Sequence, residues 1–297
     1  MFMLSKLFKP HRKNKWTSTI VATTLVFMLL CFVLSTEAAQ ATTVQEAHAT
    51  TPEPLRVAYL TFDDGPTRGI TCAILDTLEQ EDVPATFFIL PKRDLDDIFQ
   101  RIIDNGHEVG NHSFSHNFSR LYGSSLDAFK REIKAAHAFM LDNFDYTMTS
   151  FRFPGGTFGR SRQGIAQRRA FLRSIGYREF GWDVDPQDFR DDVRRLSGPE
   201  LANKVLRSVD RLNDRQHITI LFHDSPHRHA TVRALPYVIE GLRERGFTFD
   251  IMRNHPLSEA EIIAYQERIE AISAAKVAAR REVQQQAALS LAAESLY

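Results

Sequence analysis

Between Leu55 and Met252, short apolar runs alternate with stretches of helical period, and this alternation limits the possible folds more than any other feature of the chain. LRVAYLTF (55–62), PATFFIL (84–90) and HITILF (217–222) are apolar on consecutive residues. A strand of that kind needs cover on both faces, as in a parallel sheet flanked by helices. HEVGNH (107–112), TSFRFPGG (149–156), YREFGWDV (177–184) and FTFDIM (247–252) read as further strands. ITCAILDTLEQED, LDDIFQRIIDNG, LDAFKREIKAAHAFMLDNF, RRAFLRSIG, PELANKVLRSVDRL and VRALPYVIEGLRERG read as the helices between them. In the third of these, Leu126, Phe129, Ile133, Ala136 and Met140 recur at helical spacing. Pro199 suits a first helical turn, and Gly106 suits a helix stop. An α/β domain of about seven β–α units follows, closed into a barrel or nearly so rather than an open sheet. Chemistry in such folds collects at the C-terminal ends of the strands.

Five strand ends carry unusual residues: Asp63-Asp64, His112-x-x-x-His116, Arg152-Phe-Pro-Gly155-Gly156, Asp185-Pro-Gln-Asp188-Phe189, and Leu221-Phe-His223-Asp224. A barrel gathers all five into one mouth. Two histidines four apart on a helical turn share a face and can share a metal. With one carboxylate from the Asp doublet they leave an open coordination position, where water becomes acidic. The same ligand set describes non-haem iron oxygenases, but here the carboxylate comes far earlier in the chain and belongs to a doublet, which favours hydrolysis. If one aspartate binds the cation, the other is free to act as a base. A turn-capping Asp-Gly accounts for Asp64 and not for Asp63. The phosphotransferase motif of haloacid dehalogenases separates its aspartates by one residue, whereas here they are adjacent. Arg152 is placed to hold the free aspartate, and Asp188 to keep His223 protonated for donation to a leaving amine. The PGG turn offers backbone N–H groups for an oxyanion.

Taken together, TFDDGPT, HSFSH, FRFPGG, DPQDF and LFHDS, in that order, resemble the five motifs of the polysaccharide deacetylases, carbohydrate esterase family 4, also called the NodB homology domain. The resemblance covers about Arg56 to Arg253. It implies a distorted (β/α) barrel, a divalent metal (zinc first, with cobalt or another transition metal as alternatives) and removal of acetyl groups from a polysaccharide. It implies Asp64, His112 and His116 as metal ligands, Asp63 as general base oriented by Arg152, and His223 as general acid tuned by Asp188. It implies an oxyanion donor near Gly155, and an acetyl pocket lined by Leu221 and Phe189. Two departures stand out. Many members have R-P-P-Y-G where this chain has Phe153 and Gly155, so an aromatic wall is lost or supplied elsewhere, with Phe158 as a candidate. Phe189 stands where the family usually has Trp.

Outside this domain (55–254), the N-terminus has the order of an export signal. Lys6, Lys9, Arg12, Lys13 and Lys15 precede an uncharged stretch from Trp16 to Thr36, followed by Ala39-Gln40-Ala41. Residues 1–41 read as a cleaved signal peptide or as an anchor through 16–36, and either places the domain outside the cytoplasm. Cleavage after Ala41 removes five basic residues and one acidic one, leaving 32 and 36, a net charge of −4, with Cys72 as the sole cysteine. No internal disulfide is then available. Residues 42–54 read as a linker. Residues 255–297 form a helical extension, with Ile262, Tyr265, Ile269 and Ile272 as one apolar stripe. The balanced charge of the whole chain argues against nucleic acid as a partner. An exported deacetylase points to cell-wall glycan, with N-acetylglucosamine of peptidoglycan first. Chitin oligomers, an exopolysaccharide and acetyl-xylan follow, and a non-catalytic glycan-binding barrel is the rival from another class.

Overall fold

The computed structural model describes residues 56–123 and 125–258. The signal or anchor segment, the linker and the apolar stripe beginning at Ile262 lie outside them. Among the described residues no helix is long and apolar enough to cross a membrane.

Strands and helices alternate as the pattern predicts: β1 (Arg56–Asp63), α1 (Ile70–Gln80), β2 (Thr86–Ile89), α2 (Asp96–Asp104), β3 (Glu108–Asn111), α3 (Phe118–Tyr122), α4 (Leu126–Phe144), β4 (Ser150–Phe151), α5 (Arg162–Ser174), β5 (Arg178–Glu179), α6 (Asp191–Arg194), α7 (Gly198–Asp210), β6 (His217–His223), α8 (His229–Glu244) and β7 (Phe247–Phe249). A 3₁₀ turn follows at Met252–Asn254. The strands form one parallel sheet in the order β5-β4-β3-β2-β1-β6, and β7 pairs with the first residues of β1. The sheet curls. Beyond β5, Val184 forms a parallel bridge with Ile220, and Leu221 N–H donates to Val184 O at 2.9 Å, so the β5 end returns to β6.

The expected strand YREFGWDV is shorter than predicted, because the chain leaves β4 after Phe180. Gly181 O there accepts from Arg152 Nη2 at 2.9 Å, and Asp183 Oδ2 accepts from Thr219 N–H at 2.8 Å. These side-chain bonds replace ladder bonds.

The pleat divides the molecule into two apolar clusters. Ala58, Leu60 and Phe62 of β1, with Phe87 and Ile89 of β2, pack outward with the helix faces of Ile74, Ile98, Phe129 and Val205. Val57, Tyr59, Phe88, Phe180 and Met252 form a second cluster inside the curled sheet. Each fully buried Leu, Ile or Phe contributes about 2 kcal/mol by leaving water. Alternation then sets the inward phase: Val57, Tyr59, Thr61 and Asp63 share one face of β1. His217, Thr219, Leu221 and His223 share the matching face of β6, since Asp63 pairs with His223 in register. Gly110 lies on β3 beside Phe88, and a Cβ there would stand 2.5 Å from the Phe88 ring. Its missing side chain is what lets Phe88 fill the interior beneath Arg152, whose guanidinium carbon stands 4.2 Å from the ring centre.

Candidate active site

Asp63 is the last residue of β1 and points inward by the pleat. Its successor would point outward on a regular strand. Asp64 instead adopts φ +75°, a left-handed conformation that non-glycine residues seldom hold, and its carboxylate turns into the same mouth. The turn is supported from below. Lys92 Nζ donates to Asp64 O and Pro66 O, both at 3.1 Å, and Asp224 packs directly under Gly65. Asp224 is fully buried and accepts from Thr71 Oγ1 at 2.7 Å. Burial pushes its carboxyl up to about 7.

Both aspartates lie near His112, with Asp63 Oδ2 3.6 Å from its Nε2, but their other partners differ. Asp64 Oδ1 lies 3.5 Å from His112 Nε2 and 3.3 Å from His116 Nε2. Asp63 Oδ1 accepts from Arg152 Nη1 at 2.9 Å. Arg152 is wholly buried, and its remaining donors go to Thr61 Oγ1, Phe180 O and Gly181 O. Burial pushes the Asp63 carboxyl up from its usual range, with the charges of Arg152 and His223 opposing that rise.

His112 Nδ1 stands 3.0 Å from Arg152 O. A carbonyl only accepts, so Nδ1 carries the proton and the Nε2 lone pair faces Asp64. Burial holds this ring neutral, with its pKa lowered to about 3. The expected helical turn between the histidines is absent. Residues 112–116 form a loop in which Ser113 (φ +75°) and His116 (φ +53°) are left-handed. Asn111 Oδ1 accepts from Ser113 N–H at 2.9 Å, and Ser113 Oγ accepts from His116 N–H at 3.1 Å. Glu132, from α4, accepts from Ser115 N–H and Ser115 Oγ, both at 2.8 Å. These bonds bring the imidazoles together without a helix, their ring centres 5.3 Å apart.

The residues fit a metal ion. Asp64 Oδ1 is buried with no hydrogen-bond partner, with the Nε2 atoms of His112 and His116 in front of it. One donor atom each from Asp64, His112 and His116 lie within 4.8 Å of one another. Two nitrogens and one oxygen so placed could hold a divalent cation.

His223 ends β6 on the other side of Asp63. Its Nδ1 stands 2.6 Å from Asp188 Oδ1, and its backbone N–H donates to Asp188 Oδ2 at 2.9 Å. Thr231 Oγ1, in the first turn of α8, donates to the same oxygen at 2.6 Å. Burial alone would lower the His223 pKa, but the bond and charge of Asp188 outweigh it and raise it to about 9. Burial likewise works against the Asp188 carboxylate, yet its bonds from His223 and Thr231 hold it below the ordinary value.

The substrate-facing residues differ in character. Leu221 is buried on the inward face of β6, one pleat below His223. Phe189 is half exposed, its ring edge-on to His223 at 5.6 Å. Gly155 (φ +65°) and Gly156 (φ +70°) shape the turn after β4. Gly156 N–H is taken by Phe153 O, while among the described residues no acceptor takes the Gly155 N–H. Phe158 is completely exposed and does not replace the missing aromatic wall. Phe118 stands there instead, 5.2 Å from the His116 ring and against Gly155. It is presented by α3, a five-residue helix capped by Asn117 that the apolar pattern does not reveal. The supporting residues Thr61, Asn111, Glu132 and Thr231 were also missed. Only Thr61, two residues before Asp63 on the same strand face, carried a signal that could have found it.

The family model for polysaccharide deacetylase matches residues 50–174. A peptidoglycan-N-acetylglucosamine deacetylase of Bacillus cereus is 30% identical over 199 residues, 66% of this chain and 68% of that one. A chitooligosaccharide deacetylase of Sinorhizobium fredii is 30% identical over 202 residues, 66% of this chain and 91% of the relative. Among solved structures, a carbohydrate esterase of family CE4 from Streptococcus mutans superposes with a TM-score of 0.61 at 27% identity, over 67% of this chain and 87% of that one. The family model spans β1 to β4, which carry Asp63, Asp64, His112 and Arg152, and the chain belongs to the polysaccharide deacetylase family of hydrolases.

Proposed function

We propose that this chain is a metal-dependent deacetylase that removes N-acetyl groups from an extracellular glycan, with N-acetylglucosamine of peptidoglycan as first substrate. The observation that carries this reading is the buried, unpartnered Asp64 Oδ1 facing His112 and His116, set between the Asp63–Arg152 and Asp188–His223 pairs. Asp64, His112 and His116 would hold the ion, zinc first. When bound, such an ion supplies Lewis acidity that polarises the acetyl carbonyl and acidifies water. Asp63 takes a proton from the attacking water, its burial favouring the protonated product. Arg152 holds Asp63 in place throughout. The Gly155 N–H is the donor for the developing oxyanion. His223, cationic at neutral pH, gives its proton to the departing sugar nitrogen. Leu221 and Phe189 offer apolar surface to the acetyl methyl.

The Bacillus relative supports peptidoglycan, and the Sinorhizobium relative supports chitin oligomers as the second substrate class. The basic and apolar order of residues 1–41 supports action outside the cytoplasm, as a secreted or anchored enzyme. The test is acetate release from peptidoglycan, chitooligosaccharides and acetyl-xylan by protein of measured metal content. Zinc bound at one ion per chain and acetate from the N-acetylated glycans are expected. A chain that binds no divalent ion, or a metal-loaded chain that releases nothing from any glycan, defeats the proposal. Fractionation of the producing cell tests the location, and activity confined to the cytoplasm would contradict it.

A further inference from the structure

Arg160 sits beside the mouth without an anion. Its guanidinium carbon lies 4.1 Å from the Tyr122 ring centre and 5.1 Å from that of Phe118. Its Nε is buried with no partner, and among the described residues it makes no ion pair. Its Nη2 lies 4.0 Å from the point where a Cβ on Gly155 would stand. The rings below it are fixed. Tyr122 Oη donates to Pro154 O at 2.6 Å, tying α3 to the turn after β4, and Phe118 packs on both Gly155 and His116. A guanidinium stacked on aromatic faces has its plane set and its remaining N–H groups aimed outward in that plane. A guanidinium held over the rings in advance can serve a carboxylate as a fork at a lower ordering cost of binding.

The position gives the fork a meaning. Gly155 is the proposed oxyanion donor, so Arg160 lies within reach of a group on, or next to, the sugar being deacetylated. Resting on the deacetylase reading, we infer that Arg160, stacked on Phe118 and Tyr122, is a subsite for a carboxylate carried by the glycan beside the acetylated sugar. The chain would then select acidic glycans over neutral ones. A lactyl ether and a uronic acid offer the same chemistry, and the experiment separates them.

The full chain, loaded with zinc, is assayed on a peptide-free peptidoglycan oligosaccharide, on the same oligosaccharide with its carboxylates converted to amides, on a uronic-acid-containing N-acetylated glycan, and on a chitooligosaccharide of equal length. The parent is expected to prefer the free-acid peptidoglycan form over its amide. In R160Q the ratio of kcat/KM between those two falls about tenfold, the size of one lost charge-assisted hydrogen bond. R160K, which keeps the charge without the fork, recovers only part of it. Preference for the uronic glycan rather than the lactyl form would assign the carboxylate to the other source. An unchanged ratio in R160Q, or an equal loss on acid and amide, overturns the inference. Binding of both oligosaccharides to the D63N chain, with and without R160Q, is measured by calorimetry alongside. If no glycan yields acetate, the deacetylase reading fails. The calorimetry still decides: weaker binding of the acid alone in R160Q upholds the subsite, and equal binding removes it.

Discussion

His112 and His223 end parallel strands of one sheet and face one mouth, with Asp63 between them, yet the fold gives them opposite charge. Burial lowers the His112 pKa to about 3, and the neutral carbonyl on Nδ1 fixes the tautomer but opposes that fall too weakly to charge the ring. His223 is almost as buried, but its Nδ1 meets a carboxylate kept ionised by the His223 bond and charge with help from Thr231, and its pKa is raised to about 9. Burial alone would deprotonate both. The acceptor behind each ring decides the outcome: a neutral oxygen leaves a ligand, and an anionic oxygen makes an acid. The aspartate doublet repeats the lesson. Asp64 faces two imidazoles and has no cation of its own among the described residues, whereas Asp63 already has one in Arg152.

The largest effect should come from separating the doublet. Asp63→Asn removes the base and leaves the ligands, so kcat is expected to fall by about 10²–10⁴ with zinc content unchanged. Asp64→Asn should lose the zinc itself. Equal zinc loss in the two variants, measured by elemental analysis, would mean that the two carboxylates do not have separate roles.

Asp188→Asn attacks the acid side. His223 must be protonated to donate, so parent activity should hold as pH rises and fall through about 9. Without that carboxylate its bond and charge are lost, and only the weaker pull of Asp63 and Asp64 opposes burial, so this alkaline limb should drop towards the ordinary histidine range of about 6.5. At pH 8 that is a loss of more than tenfold, with zinc affinity unchanged. A limb that stays near 9 would remove Asp188 from the acid.

The outline of this site was legible in the sequence because the strand period is two. Once β1 and β6 are strands with Asp63 and His223 at their ends, Thr61 and Leu221 must share the inward face. Strand-end residues also identify themselves by interrupting apolar runs. The supports were not legible, because they come from remote elements. Glu132 is one polar residue on an amphipathic helix, and nothing local says that it reaches the loop between His112 and His116. The HxxxH spacing suggested a helical turn, but the side chains of Asn111, Ser113 and Glu132 offer the backbone other partners, and a loop forms instead. The aromatic wall moved to Phe118 for a similar reason: its helix is too short to show a period.

Glu132 accordingly gives the next test, on the ligand side alone. Glu132→Ala releases Ser115 and should weaken zinc binding about tenfold, the usual scale for groups that orient metal ligands. Glu132→Gln keeps an acceptor and should recover part of it. The alkaline limb near 9 should not move in either variant, since Asp188 is untouched. A shifted limb would show that the two sides are not independent.

The smallest effect probes their one shared residue. Thr61 Oγ1 donates to Ile220 O on β6 at 2.8 Å and accepts from Arg152 Nη1 at 2.7 Å. Arg152 in turn offers its carbonyl to His112 and its guanidinium to Asp63, so Thr61 links the acid strand to the residue that orients both ligand and base. Thr61→Val keeps the shape and leaves one buried Arg152 N–H unpaired, at a cost of about 1–3 kcal/mol in stability. Activity should fall only a few-fold, because Asp63 still pairs with Arg152. Thr61→Ser restores the oxygen and should restore both quantities. Calorimetric unfolding read beside kcat/KM checks this: if Val and Ser variants behave alike, the hydroxyl is not what matters, and the bridge between the two sides is not built through Thr61.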